Sequence, residues 1–471
     1  MIGRKKEIEI LQNACKREEA QLVAVYGRRR IGKTYLVRET LGKDFSFYHT
    51  GVARSGFQEQ LAAFRDSLIR WGLKDCPLLK SWREAFNQLA ILIENSDCSR
   101  RVVFIDELPY MDTPRSNFVS AFEHFWNGWA SARKGLVMVI CGSAASWIVR
   151  KVFRDHGGLH NRVTERIHLM PFTLGECAEL AYANGLSLTR QDICELYMVF
   201  GGVPFYWSLM PSGLSAPQII DNLVFSEGAR LRYEYREVFD SLFRNSESYR
   251  QVVTALSKAG CGLSREEIFH SAGLSDCGTL SHCLEDLEAC GFIRRYSLMG
   301  RKKRGAIYQL LDNFSLFHLK FLESESNTDP EFWTHAYSSP ALNAWRGFAF
   351  ERICLQHIAQ IKTALGISGV LTKVYSWRHV PDKVYPDGAQ IDLLIERADR
   401  VVNVCEIKYS REPFVINKEY NQKLRTRIGT FVGVTKTRLA PHLTMITAGG
   451  LAHTGYWGTV QREVSLDDLF V

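Results

Sequence analysis

The segment Gly27-Arg28-Arg29-Arg30-Ile31-Gly32-Lys33-Thr34 fits the pattern G-x-x-x-x-G-K-[ST], and its flanks restrict the fold more than any other feature. Leu22 to Tyr26 reads as a short buried strand directly upstream, and Tyr35-Leu36-Val37-Arg38 opens a helix downstream. A strand, a glycine loop and a helix in that order turn backbone N–H groups inward around a polyphosphate, at the positive end of the helix. Lys33 is placed to reach the β- and γ-phosphates and Thr34 to hold Mg²⁺. Gly27 and Gly32 let the loop close. The expectation is a chain that binds a nucleoside triphosphate, on an α/β core.

Length and composition set wider bounds. The 471 residues correspond to roughly three domains at about 150 residues each. With 46% apolar and 23% charged residues, the balance is that of a globular protein with ample core. No apolar run approaches the ~18 residues of a membrane span, and no signal-peptide stretch opens the chain, so a cytoplasmic location and no membrane partner are expected. The twelve cysteines form no C-x-x-C pair and read as free thiols in a reducing compartment. A net charge of +8 permits a nucleic-acid partner without demanding one.

A second nucleotide signal lies at Val102 to Glu107, where four apolar residues carry two carboxylates to a strand's C-terminal end. Asp106 is expected to bind Mg²⁺ and Glu107 to polarise the attacking water. A third strand, Leu136 to Cys141, ends in Gly142-Ser143. The Ser143 hydroxyl either touches the γ-phosphate or water, or merely ends the strand in a turn.

Ile2-Gly3-Arg4-Lys5-Lys6-Glu7 with Leu11 resembles the G-R-x-x-E…L segment of AAA+-related ATPases, which implies that Arg4 lies near the adenine. Gly27 to Thr34, Asp106-Glu107 and Gly142-Ser143 follow in that family's order. Leu159-His160-Asn161-Arg162 is similar to its Leu-Tyr-Gly-Arg-like segment, with His160-Asn161 as the departure. Arg162 is either a γ-phosphate-stabilising arginine or an ordinary surface one. Gly201-Gly202-Val203-Pro204 is similar to the G-x-P motif of the STAND-type branch, which brings Pro204 toward the nucleotide. Together these resemble the archaeal-type ATPase family. The resemblance implies a P-loop core over 1–170, a helical lid over 171–245, and ATP with Mg²⁺ as cofactors. Arg28 to Arg30 read as a solvated or DNA-facing rim.

Residues 246–325 read as three short helices and a hairpin, an order that resembles a winged helix-turn-helix. The third helix, Cys277 to Cys290, buries Leu280, Leu284 and Leu287 and is expected to expose His282, Glu285, Asp286 and Glu288. Carboxylates repel phosphate, so this helix reads as a poor groove reader and a candidate protein-binding face. The hairpin is basic instead: Arg294, Arg295 and the run Arg301, Lys302, Lys303 and Arg304. That run suits DNA phosphates without reading sequence.

After a linker at Glu323 to Pro330, residues 330–471 carry an acid–acid–lysine pattern. A helix from Ala341 to Ile358 bears Glu351. The strand Gln390 to Ile395 bears Asp392, and Val401 to Lys408 carries Glu406 and Lys408 on one face. A helix from Ile416 to Arg427 and a strand from Thr430 to Val434 follow. This resembles the PD-(D/E)xK nuclease superfamily, which implies a restriction-endonuclease-like α/β fold. Glu351, Asp392 and Glu406 would be the metal ligands there, and Lys408 the catalytic lysine. Two readings stand. One is an ATP-hydrolysing switch controlling a nucleic-acid-directed nuclease. The other is an ATP-dependent regulator that binds DNA or a protein and cuts nothing. An oligomer is compatible with either.

Overall fold

The computed structural model describes residues 1–96, 101–154, 158–159, 161–243, 245–299, 306–323 and 329–471. The basic run Arg301 to Arg304, His160 and most of the expected linker lie outside the described residues. The chain divides into two compact units, Met1–Met170 with Ala289–Gly291, and Pro171–Glu288 with Phe292–Val471.

The first unit is built on five parallel strands: β1 (Gln21–Tyr26), β2 (Phe45–Thr50), β3 (Arg101–Asp106), β4 (Leu136–Gly142) and β5 (Glu165–His168). Their order is β2-β3-β4-β1-β5. Both faces are covered by helices, which is why β4 reads as an unbroken apolar run, buried at every position. One face packs Leu22, Ala24, Val103 and Met138 against an aromatic layer that includes Phe64, Trp82 and Phe86. The other packs Val23, Val25 and Val139 against Leu11, Leu36 and Val37. Because β4 lies between β1 and β3, the three strand ends that matter are neighbours, with Tyr26 opposite Gly142 and Ile105 opposite Ile140. Strand order reverses beside β1, and ligands of open α/β sheets bind at that point.

In the second unit, helices Leu174–Ala183 and Arg190–Phe200 follow the chain's exit from the sheet, each opened by a threonine capping box at Thr173 and Thr189. Three further helices, Ser246–Ser257, Arg265–Ala272 and Cys277–Ala289, accompany an antiparallel sheet of β6 (Leu263–Ser264), β7 (Ile293–Ser297) and β8 (Ala306–Leu310), ordered β6-β8-β7. Ser264 caps the middle helix and Glu267 completes its box.

The C-terminal part holds a mixed sheet of β9 (Thr372–His379), β10 (Ala389–Arg397), β11 (Val401–Lys408), β12 (Ala440–Thr447) and β13 (Arg462–Ser465), ordered β13-β12-β11-β10-β9. β9, β10 and β11 are antiparallel, whereas β11, β12 and β13 run parallel. Glu351 sits on the helix Pro340–Gln356.

Two expectations are corrected. Thr430 to Val434 is no strand but the end of the helix Lys418–Thr435. Its β-branched residues favour a strand, yet Ile428, Phe431 and Val432 recur at helical spacing and pack on Trp377 and Leu394, so tertiary packing overrides propensity. Asp286 is not exposed. It is buried and accepts a hydrogen bond from the Tyr249 hydroxyl at 2.7 Å, which removes it from the acidic face.

Candidate nucleotide site and C-terminal acid cluster

The first site forms where β1, β3 and β4 end. Gly27 has φ near 147°, and a Cβ there would stand 2.3 Å from the Leu169 carbonyl, so only glycine fits. Gly32, at φ 87°, caps the helix Lys33–Leu41. Lys33 is buried, and its ammonium donates to the carbonyls of Gly27 at 3.0 Å and Arg28 at 2.8 Å. Its third neighbour is Ser143 Oγ at 3.3 Å. The ammonium thus lies inside the curve of the loop.

Thr34 Oγ1 donates to Asp106 Oδ2 at 2.6 Å, bringing two hard oxygen ligands of the Mg²⁺ type together across strands. Asp106 Oδ1 in turn accepts from the Glu107 backbone N–H at 2.9 Å. Glu107 sits in the left-handed region, φ 46° and ψ 46°, a conformation that costs a non-glycine residue of order 1–3 kcal/mol. Its Oε2 accepts from the Ser143 N–H at 3.0 Å, and Oε1 bonds the Ser143 hydroxyl. Ser143 therefore links the loop lysine to Glu107. Sequence reading could place its hydroxyl near the nucleotide but could not find that bridge. The donor set fits a magnesium nucleotide: an ammonium in a backbone cradle, a hydroxyl beside a carboxylate, and a second carboxylate at a strand end.

The remaining expected residues fall out differently. Arg4 is buried and its guanidinium donates to the Ile31 carbonyl at 3.4 Å, which ties the N-terminal segment to the loop. Arg28 is buried rather than part of a solvated rim. Arg162 is exposed, and the cluster of Lys33, Thr34, Asp106, Glu107 and Ser143 forms without it. Pro204 opens the helix Pro204–Ser208 in the second unit. The turn before it is tight: a Cβ on Gly202 would lie 1.9 Å from the Phe172 carbonyl, and Phe172 donates to the Gly202 carbonyl at 2.6 Å. Arg294 is half-buried, with Nε donating to Gln309 at 2.8 Å and the guanidinium over the Tyr296 ring. Burial lowers it to about 10, which leaves it cationic, and its contacts with Gln309 and Tyr296 hold it apart from a free basic cluster.

The second site lies on β10 and β11. Register pairs Leu393 with Cys405, leaving Asp392 and Glu406 one step beyond that pair. A break in the β9–β10 register between Ile391 and Leu394 falls at Asp392 and re-aims it. Lys408 Nζ lies 3.3 Å from Glu406 Oε1, so the shared face expected from alternation is present. Glu351 is near enough to feel the other acids: burial first, and then the Asp392 charge, raise it to about 7.

The cluster's oxygens are engaged, however. Glu406 is buried, with Tyr420 donating to Oε1 and Arg427 to Oε2, while Gln390 donates to Asp392. Among the described residues no group of three or more His, Cys, Asp or Glu side chains is arranged to hold a metal. As placed, the donor set does not fit a resident cation. The sequence places Arg427 on this helix as a basic residue but does not reveal that it and Tyr420 engage Glu406, although their seven-residue spacing puts them on one face of a helix started by Asn417, with buried Leu424 between.

Residues 1–209 match the family described as an ATPase domain predominantly from Archaea. The chain is similar to the uncharacterized protein MJECL04 of Methanocaldococcus jannaschii, with 21% identity over 414 residues, 87% of either chain. It is also similar to an uncharacterized ATP-binding protein of the same organism, 42% identical over 40 residues, which span 8% of this chain and 68% of that one. Among solved structures, the Walker-type ATPase of Pyrococcus abyssi aligns at 16% identity and TM-score 0.47, over 68% of this chain and 96% of that one. The ORC2 protein of Aeropyrum pernix aligns at 13% and 0.41, over 71% and 95%. No helix among the described residues is long and apolar enough to cross a membrane.

Proposed function

We propose, from the premise that residues 1–209 are an ATPase domain of the predominantly archaeal family, that this chain binds and hydrolyses ATP as a conformational switch. The observation that carries the reading is the Thr34–Asp106 hydrogen bond beside a Glu107 carboxylate held by Ser143. Bound Mg-ATP supplies the transferable phosphoryl group and its charge neutralisation. The chain's own residues do the rest. Lys33 exchanges the loop carbonyls for phosphate oxygens, Gly27 and Gly32 shape the cradle, and Thr34 and Asp106 face the metal position. Glu107, released from Ser143, orients water. In this reading Arg4 lines the nucleotide's edge, Pro204 is the lid's contact, and Arg162 supplies charge only on closure. A steady-state phosphate-release assay on the wild-type chain and Glu107→Gln tests it, the variant being expected to bind ATP and turn over slowly.

The output of the switch is the second unit. Two observations favour a nuclease there, namely the αβββαβ element order and the convergence of Glu351, Asp392, Glu406 and Lys408. The protein donors on Glu406 favour the regulatory reading, because both its oxygens already have partners. We therefore place regulation ahead of cutting. In this reading ATP sets the conformation of a winged-helix-like module that holds DNA weakly through Arg301 to Arg304 or a protein through its acidic helix. Incubating the chain with Mg²⁺ or Mn²⁺, ATP and mixed DNA and RNA decides the point. Cleavage that Lys408→Ala removes would restore the nuclease reading.

A further inference from the structure

The second unit contains a cavity of about 580 Å³ that none of the motifs accounts for. It lies between the helix Glu234–Leu242, the helix Ser246–Ser257 and the helix Asn313–Phe321, and its size falls within the roughly 300–1,000 Å³ of small-molecule sites. Four cationic residues, Arg232, Arg236, Arg250 and Lys258, line it against two carboxylates, Glu247 and Glu323.

The pairing within that set is uneven. Arg250 spends its charge on Asp240 at 2.7 Å and on Glu247 at 2.8 Å. Arg232 gives one nitrogen to the Phe225 carbonyl at 3.0 Å, a neutral acceptor that leaves its charge uncompensated. Arg236 and Lys258 are exposed and form no ion pair among the described residues. Three cations thus face the cavity against one remaining carboxylate, Glu323.

An independent observation comes from the wall. His318 is 8% exposed, lines the cavity, and its Nδ1 has no hydrogen-bond partner. Its ring stacks on Tyr235 at 4.4 Å, which fixes its plane. A buried polar atom without a partner costs about 1–3 kcal/mol and in native proteins usually finds a ligand or water. Here it stands in the same wall as the unpaired cations.

We infer that this cavity is a second anion site, distinct from the phosphate loop, which takes a small phosphate-bearing molecule. Arg236 and Lys258 pair with the phosphate oxygens, and His318 supplies a buried hydrogen-bonding nitrogen. A ligand there would join the three helices around it, which makes it a means of setting the arrangement of the second unit.

The test uses the full chain carrying Lys33→Ala, so that the phosphate loop does not report. Pyrophosphate is titrated by calorimetry and followed by ³¹P line broadening, with inorganic phosphate, AMP and a short single-stranded oligonucleotide as further arms. The expected result is saturable pyrophosphate binding at one site, weakened about ten-fold by Arg236→Ala and again by Lys258→Ala. Partial recovery in Arg236→Lys is also expected. Displacement of pyrophosphate by the oligonucleotide assigns the site to nucleic-acid phosphate, and displacement by AMP alone assigns it to a free nucleotide. Absence of binding, or binding unchanged in the double variant with an unaltered melting temperature, overturns the inference.

Discussion

Arg346 and Glu195 form an ion pair at 2.7 Å with their side chains 1% and 2% exposed. Glu195 lies on the helix Arg190–Phe200, and its carboxylate also accepts from Trp333 at 3.2 Å, Tyr337 at 3.3 Å and Arg411 at 3.3 Å. Arg346 shares its helix with Glu351, while Arg411 follows Lys408 closely in the chain. One buried carboxylate therefore pins both segments that carry the acid cluster. Removing it leaves Arg346 charged and buried without its partner, which costs about 3–5 kcal/mol. Glu195→Ala is expected to lower the unfolding free energy of the second unit by that amount, read from the shift of its urea midpoint. Glu195→Gln, which keeps the hydrogen bonds but not the charge, should lose less. Equal midpoints for wild type and Glu195→Ala would show that the network contributes nothing.

Lys33→Ala should abolish ATP binding measured by calorimetry while leaving the fold unaltered, since the ammonium contacts only loop carbonyls and Ser143. Glu107→Gln should bind ATP and lose about 10²–10⁴-fold in turnover, the usual weight of a general base. A Glu107→Gln variant with wild-type turnover would take Glu107 out of the mechanism.

Much of this was legible in the sequence, and the limits have physical causes. The phosphate loop, Asp106 and Glu107 could be read because glycines, an apolar strand and strand-end carboxylates are local signals. The bond between Glu107 and Ser143 joins residues far apart in sequence and depends on β4 lying beside β3, which no local pattern encodes. Lys418–Thr435 was misjudged at its end because β-branched residues there obey the core rather than their propensity. The contacts of Tyr420 and Arg427 with Glu406 were not legible for another reason: Glu406 belongs to a strand and their phase to a helix.

Glu351 gives the second unit a pH signature. An acid raised from 4.5 to about 7 by burial binds more protons in the folded than in the unfolded chain between those values. Stability therefore falls as pH rises through that window, and the penalty is complete above about 7. Glu351→Gln removes the penalty. Its melting temperature should match wild type near pH 4.5 and exceed it at pH 8. A difference that stays constant across pH would mean that Glu351 is not held protonated by its surroundings.

The donors on Glu406 make the sharpest division between the two readings of the C-terminal part. In the wild-type chain Arg427, Tyr420 and Lys408 satisfy that carboxylate, so a cation must displace them to enter. Mn²⁺ calorimetry on a Lys33→Ala, Asp106→Ala chain, which silences the nucleotide site, should show no binding at the acid cluster. Arg427→Ala combined with Tyr420→Phe removes two of the three donors on Glu406, freeing Oε2 and leaving only Lys408 at Oε1, and Mn²⁺ is then expected to bind there and to be lost again with Asp392→Ala. Removing Arg427 also leaves a buried carboxylate less well paired. Arg427 is 31% exposed, so water replaces part of the interaction and the loss of stability should be nearer 1 than 3 kcal/mol. Saturable Mn²⁺ binding by the chain with Arg427 and Tyr420 in place, abolished by Asp392→Ala or Glu406→Ala, would reverse the order of the readings and make the nuclease the better account.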